Sequence, residues 1–149
     1  MDARLDVDVR EILKGLDRLD TRVQRGIRVG LARAGYQLMR DAIMQVPTVP
    51  FFKGWLRGSG SVFVDNELST VSDIGDNRMA NRQHTESKKS HEHVCIVGFN
   101  APYAARLHEG NFHFKEPGAG RKFLEAKAIG NAGHYVKIIG NAIKEELRD

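Results

Sequence analysis

At 149 residues the chain has the length of one compact domain, enough to bury a hydrophobic core but too short for two domains of ordinary size. Its 23 basic and 19 acidic residues leave a formal charge of +4 and a pI near 9.4, a mild bias toward polyanions that falls far short of a histone-like charge. No window approaches the roughly 18 uncharged apolar residues of a membrane span. The opening MDARLDVDV lacks the apolar run of an export signal, so folding in a reducing cytoplasm without membrane insertion is expected. The single Cys95 cannot close an intrachain disulfide, and its place in VCIVGF marks it as a buried small hydrophobe. A hydrophobic fraction of 41% with 15 glycines suggests that some order comes from neighbouring chains.

Residues 4–7 alternate charged and apolar, which predicts a short strand. Asp8 can then cap a helix whose apolar stripe is Val9, Ile12, Leu13, Leu16 and Leu19. Asp20 and Thr21 offer a second cap. After them Val23, Ile27, Leu31, Ala34, Leu38 and Ala42 recur every three or four positions, predicting a long amphipathic helix that ends before Pro47. Its opposite face carries Arg22, Arg25, Arg33 and Arg40. Gly26, Gly30 and Gly35 each cost about 1 kcal/mol of helix propensity against alanine, so close approach by another segment is required to justify them.

Two prolines break the helix in VPTVPFFKGWLRGSG, whose Phe51, Phe52 and Trp55 are predicted to lie in a turn or loop. Residues 61–64 read as strand. From 65 to 93 the composition turns polar with isolated apolar residues, predicting a projecting loop or hairpin that cannot pack a core of its own. Val94–Phe99 is a continuous apolar run suited to a central strand. A short helix then opens at Asn100 or Pro102, runs through Tyr103, Ala104 and Leu107, and closes at Gly110. NFHFKEPGAGRK is a loop. Helical spacing returns at Phe123, Leu124 and Ala128, and again from Tyr135 through Ile138, Ile139, Ala142, Ile143 and Leu147. The order predicts one α+β domain over 1–149, with a small antiparallel sheet packed against a long N-terminal helix and C-terminal helices.

Catalytic constellations are sparse. His91-Glu92-His93 and His108-Glu109 place metal-ligand chemistry close together, but a zincin helix needs HExxH, and the position four after His108 is Phe112. The only thiol lies mid-strand and no serine stands in a G-x-S-x-G elbow. The glycines of EPGAGRK lack both the Walker spacing and the Lys-Ser/Thr pair. No enzyme, metal or cofactor is expected. The alternative reading is a basic nucleic-acid-binding protein that uses Lys88, Lys89, the helix arginines and the aromatics near Arg57.

Two segments carry a resemblance. VPTVPFFKGWLRGSG resembles a "Pro, then Thr-Gly-x-Leu-Arg-x-Ser" segment, and VGFNAPYAARLHEGNFHFKEPGAGRKFLEAKA resembles a "strand, Pro-Tyr-Ala, Glu-Gly, then Pro-Phe-Leu-x-x-Ala" segment, both of the tail-component family of long-tailed bacteriophages. Three departures stand out: residues Phe51 to Lys53 are extra, Gly110-Asn111 replaces the usual Gly-Thr, and Lys122 replaces the proline before Phe-Leu. The resemblance implies a non-enzymatic virion protein of the neck, assembled in the host cytoplasm. It would form a ring around the DNA channel that completes the tail or joins it to the head connector. The ring is expected to be a hexamer, with a dodecamer as the alternative. Its other partners are the tail tube or terminator, the connector, and DNA that passes without sequence recognition. In such a ring the 65–93 segment would lie on adjacent subunits. Trp55, Arg57, Lys88, Lys89, Tyr103, Glu109 and Phe123 are the implied interface residues, with Tyr103 and Leu107 packing inward and Glu109 accepting from backbone amides or from Arg57.

Overall fold

The structure, a computed structural model, describes residues 3–8, 21–51, 53–80 and 93–148. The helix expected over 9–19, together with Phe52, His84, Lys88, Lys89 and His91, lies outside the described residues.

Strands β1 (Ala3–Asp8), β2 (Gly60–Val64), β3 (Glu67–Val71) and β4 (Val94–Phe99) form one antiparallel sheet in the order β1-β4-β2-β3. The apolar run of β4 takes a central position, with Val97 opposite Leu5 on one side and Val62 on the other. A strand paired on both sides spends all its backbone donors and acceptors in the ladder, so its side chains can be apolar on both faces.

Helix α1 (Thr21–Met44) crosses one face of this sheet. Leu31, Ala34, Leu38, Met39 and Ala42 are buried in one core with Val62, Cys95, Val97 and Phe99. Truncating a fully buried leucine such as Leu38 would cost about 2–5 kcal/mol, by lost transfer energy plus the cavity left behind. The helix ends where expected, just before Pro47. The chain continues through α2 (Trp55–Gly58), α3 (Ala104–Glu109), α4 (Glu125–Gly130) and α5 (Ala132–Leu147). α5 lies along α1 from Asp41, which Tyr135 meets, to Gly26, which Ile143 meets, and buries Tyr135, Ile139 and Ala142. The three glycines of α1 mark the close approaches. A Cβ on Gly26 would stand 2.8 Å from the Ile143 Cα, one on Gly30 2.7 Å from the Ile139 Cα, and one on Gly35 2.5 Å from the Cys95 sulfur. The segments that justify the glycines are therefore α5 and the sheet of the same chain. Among the described residues no helix is long and apolar enough to cross a membrane.

Two expectations need correction. The aromatic stretch after the prolines is not loop throughout, because Trp55 opens the single turn of α2. The polar segment 65–93 is not a projecting loop at its start but takes the hairpin alternative there. Asp65 and Asn66, at φ 50° and 69°, form a two-residue turn that returns the chain as β3, paired to β2. Asp and Asn tolerate this left-handed backbone better than most residues. Residues 72–80 then fold beneath α2: the amide of buried Ser72 donates to the Gly60 carbonyl (2.8 Å) and that of Asp76 to Gly54 (3.0 Å). Backbone hydrogen bonds and the close approach of Gly75, at φ 93°, to Gly54 hold this return, with Ile74 packed against the core and Ala80 buried.

Candidate assembly interface

The two segments that carry the family resemblance meet in space. Gly54, in the left-handed region at φ 74°, starts α2, and Ser59 ends it. Buried Ser59 donates its hydroxyl to Leu56 O (2.7 Å). It then accepts the Asn100 amide on both its carbonyl (3.1 Å) and its Oγ (3.0 Å). The end of β4 is thus tied to the Gly-Trp-Leu-Arg turn. Arg57 makes a second tie. Its Nε donates to Val49 O (3.0 Å), its Nη2 to Glu116 Oε1 (2.5 Å), and its guanidinium lies over the Phe51 ring at 5.2 Å. Glu116 Oε2 also accepts the Phe51 amide (2.8 Å), while Thr48 pairs with Ala119 in a parallel bridge. A guanidinium fork suits this double task because its donors are coplanar and fixed.

Around α3 the glutamate of the second segment faces elsewhere than expected. Glu109 takes a hydrogen bond from Lys122 Nζ and contacts His108 Nδ1 at 2.8 Å; Arg57 belongs to Glu116. The bonds from Lys122, then His108, hold the Glu109 carboxyl below the usual carboxylate range. The departure at Lys122 has a structural reason. Lys122 sits at φ 57° and donates its amide to His108 O (2.8 Å), whereas proline is held near φ −65° and has no amide proton. His108 is buried edge-on to Phe123 (4.8 Å), and Phe123 meets Phe99 edge-on at 5.7 Å. His108 is thereby a packing residue that also receives the Glu125 amide on Nε2 (3.3 Å).

At the C-terminal end of α1 a buried polar cluster ties α4 and α5 down. Asp41 accepts from Tyr135 OH (2.7 Å) and Gln37 Nε2 (2.8 Å). Burial pushes the Tyr135 phenol upward. Lys127 donates to Pro47 O (2.6 Å) and Phe123 O (3.2 Å), and burial draws its ammonium pKa down. Gln45 accepts from Asn131 Nδ2 (3.1 Å). Outside this buried cluster, Met44, Val46 and Ile129 remain 62%, 75% and 72% exposed. Toward the other end of α1, a groove of about 290 Å³ lies between the helix and the β2–β3 hairpin.

The expected interface residues divide. Phe123 is fully buried and Arg57 is engaged within the chain, so both act here by packing and tethering. Tyr103 packs against the core, as does Leu107. Trp55 is half-buried with Lys53 Nζ at 5.5 Å from its ring, and Glu109 is exposed. Lys88 and Lys89 lie outside the described residues. Sequence reasoning missed Ser59 and Glu116, although both stand in the segments quoted for the resemblance. The arginines of α1 are paired: Arg25 with Glu146 (3.9 Å), Arg28 with Asp65 (3.6 Å), Arg33 with Glu145 (2.8 Å) and Arg40 with Asp73 (3.9 Å). Cys95 is buried and its thiol is pushed up to about 12, so it is not a nucleophile at neutral pH. Among the described residues no cluster of His, Cys, Asp and Glu is arranged to hold a metal ion.

Comparison with protein-family models, with curated proteins and with solved structures found no match in any of the three.

Proposed function

We propose that the protein is a structural component of the neck of a long-tailed bacteriophage, a ring around the DNA channel that completes the tail or joins it to the head connector. One observation carries this reading beyond the resemblance itself. The two resembling segments, distant in sequence, are joined by the Ser59–Asn100 hydrogen bonds and the Arg57–Glu116 pair into one rigid layer. A motif whose residues lock backbone to backbone preserves a shape, and a ring component works by shape. The buried thiol and the packed His108 support a non-catalytic role.

The nucleic-acid reading draws less support, because the α1 arginines that would contact phosphate already face Glu145, Glu146, Asp65 and Asp73. Such exposed pairs stabilise little, yet they neutralise the stripe that a polyanion would need.

Electron microscopy of purified tails and heads incubated with the protein tests the proposal. The expected result is added density at the head-proximal tail end or beneath the connector, with a sixfold or twelvefold class average of the protein. A protein that binds neither particle refutes it, and a salt-dependent shift of short duplex DNA by that protein would favour the alternative.

A further inference from the structure

We infer that α5 presents its outward stripe of His134, Lys137, Asn141, Lys144 and Arg148 to the sugar-phosphate backbone of double-stranded DNA, and is the face that lines the channel. The inference rests on the ring reading above and deepens it by naming the surface that meets the DNA.

The stripe follows from the helix itself. Tyr135, Ile139 and Ala142 turn to α1 and are buried. Positions 134, 137, 141, 144 and 148, spaced three and four apart, fall on the opposite side, and all five residues are exposed. Arg148 keeps a helical backbone beyond Leu147, at φ −78° and ψ −21°. From end to end the row spans about 21 Å.

Its charge is of one sign. The only acids of α5, Glu145 and Glu146, turn aside to Arg33 (2.8 Å) and Arg25 (3.9 Å) of α1. The contacts that neutralise Arg33 and Arg25 therefore leave the outer side of α5 basic. Among the described residues no carboxylate pairs with Lys137, Lys144 or Arg148. Gly133 and Gly140 each stand one turn before a stripe lysine, and among the described residues nothing comes within 4 Å of a Cβ placed on either. Gly26 and Gly30 of α1 are matched by the close approach of α5, whereas these two leave clearance for an outside backbone beside both ammonium groups.

Chemistry selects the partner. Over about 21 Å a duplex carries about twelve phosphate charges, a row that the three cations oppose along its length. His134 and Asn141 add side-chain hydrogen-bond donors of the kind that meet phosphate oxygens. No aromatic or aliphatic side chain stands in the row, so it lacks the anchors on which a fixed protein interface is built. A helix lying in a membrane surface needs a free apolar face, and that of α5 is buried against α1. Contact through phosphates holds every sequence alike, as passage through a channel requires.

Fluorescence anisotropy with two short duplexes of unrelated sequence, read over a salt series, tests this. Wild type should bind both alike. Lys137→Gln, Lys144→Gln and Arg148→Gln together should weaken binding at least about tenfold at low salt and flatten the slope of log affinity against log salt by about 2–3. Arg106→Gln, Lys115→Gln and Arg121→Gln remove the same charge from exposed positions elsewhere, and this variant should stay within about twofold of wild type. Thermal melts check that both variants fold. No binding by wild type, preference for one duplex, or equal losses in the two variants overturns the inference. So does an α5 variant that keeps wild-type DNA affinity but no longer binds tails or heads, which assigns the stripe to an acidic protein surface. Binding as predicted by a protein that attaches to neither tails nor heads removes the neck reading and leaves the stripe standing. A protein that caps tails, with an α5 variant that binds DNA as wild type does, gives the reverse.

Discussion

Gly30→Ala gives the sharpest test of the packing that organises this fold. In an isolated helix the substitution stabilises by about 1 kcal/mol, because alanine loses less backbone entropy than glycine. Here the added Cβ would lie 2.7 Å from the Ile139 Cα and 3.1 Å from its carbonyl oxygen, far inside ordinary contact. Both obstacles are backbone, so relief requires α5 to move away and uncover Ile139 and Tyr135. Overpacking costs about 1–3 kcal/mol, and against two backbone obstacles the upper part of that range, about 2–3 kcal/mol, leaving a net loss of roughly 1–2 kcal/mol after the propensity gain. At this chain length that corresponds to a melting temperature lower by about 2–8 °C. Adding Gly26→Ala, which meets the Ile143 Cα at 2.8 Å, should deepen the loss. Gly140→Ala is the internal control, since a Cβ there meets nothing within 4 Å and only the propensity term remains. Urea melts should therefore show opposite signs for the two positions, with unchanged slopes. Gly30→Ala stabilising as much as Gly140→Ala would refute the close α1–α5 contact.

Arg57→Lys should loosen the 111–121 strap, because an ammonium cannot hold Val49 O and Glu116 in one plane; a loss of about 1–2 kcal/mol and faster proteolysis within that strap are expected. Cys95 should resist alkylating reagents in the native protein and react fully in urea. Its folded pKa is raised from 9.0 to about 12, so the folded state holds its proton longer, and stability present below pH 9 falls by up to about 1.4 kcal/mol per pH unit above it. Cys95→Ala should abolish that component in denaturant titrations at pH 9 and 10. Replacing residues 81–92 by an equally long Gly/Ser run should keep cooperative unfolding while reducing ring formation in light scattering. Loss of the melt would assign those residues to the core. The replacement must not extend back to 66, since β3 and the 72–80 return belong to the fold.

Much of the architecture was legible in the residues. The 3.6-residue stripe and Pro47 bounded α1 closely, the apolar run of Val94–Phe99 announced a central strand, and the α1 glycines announced a close neighbour. These features are local and periodic, and burial repeats with the period of the element. β3 was not legible, because an edge strand with an exposed face needs no apolar alternation, and ELSTV has little. Nor was the 72–80 return, which rests largely on backbone hydrogen bonds and shows no apolar period, only the isolated Ile74 and Ala80. At the candidate interface the Gly-Trp-Leu-Arg and Pro-Tyr-Ala segments could be picked out by eye, but which acid meets Arg57 could not. Glu109 and Glu116 are chemically equivalent candidates seven residues apart, and only the path of the 111–121 loop brings Glu116 to the guanidinium and leaves Glu109 to Lys122. The sequence alone determined the elements and the pattern that must be buried; tertiary structure decided the partners, because contacts between distant residues depend on how the elements are placed.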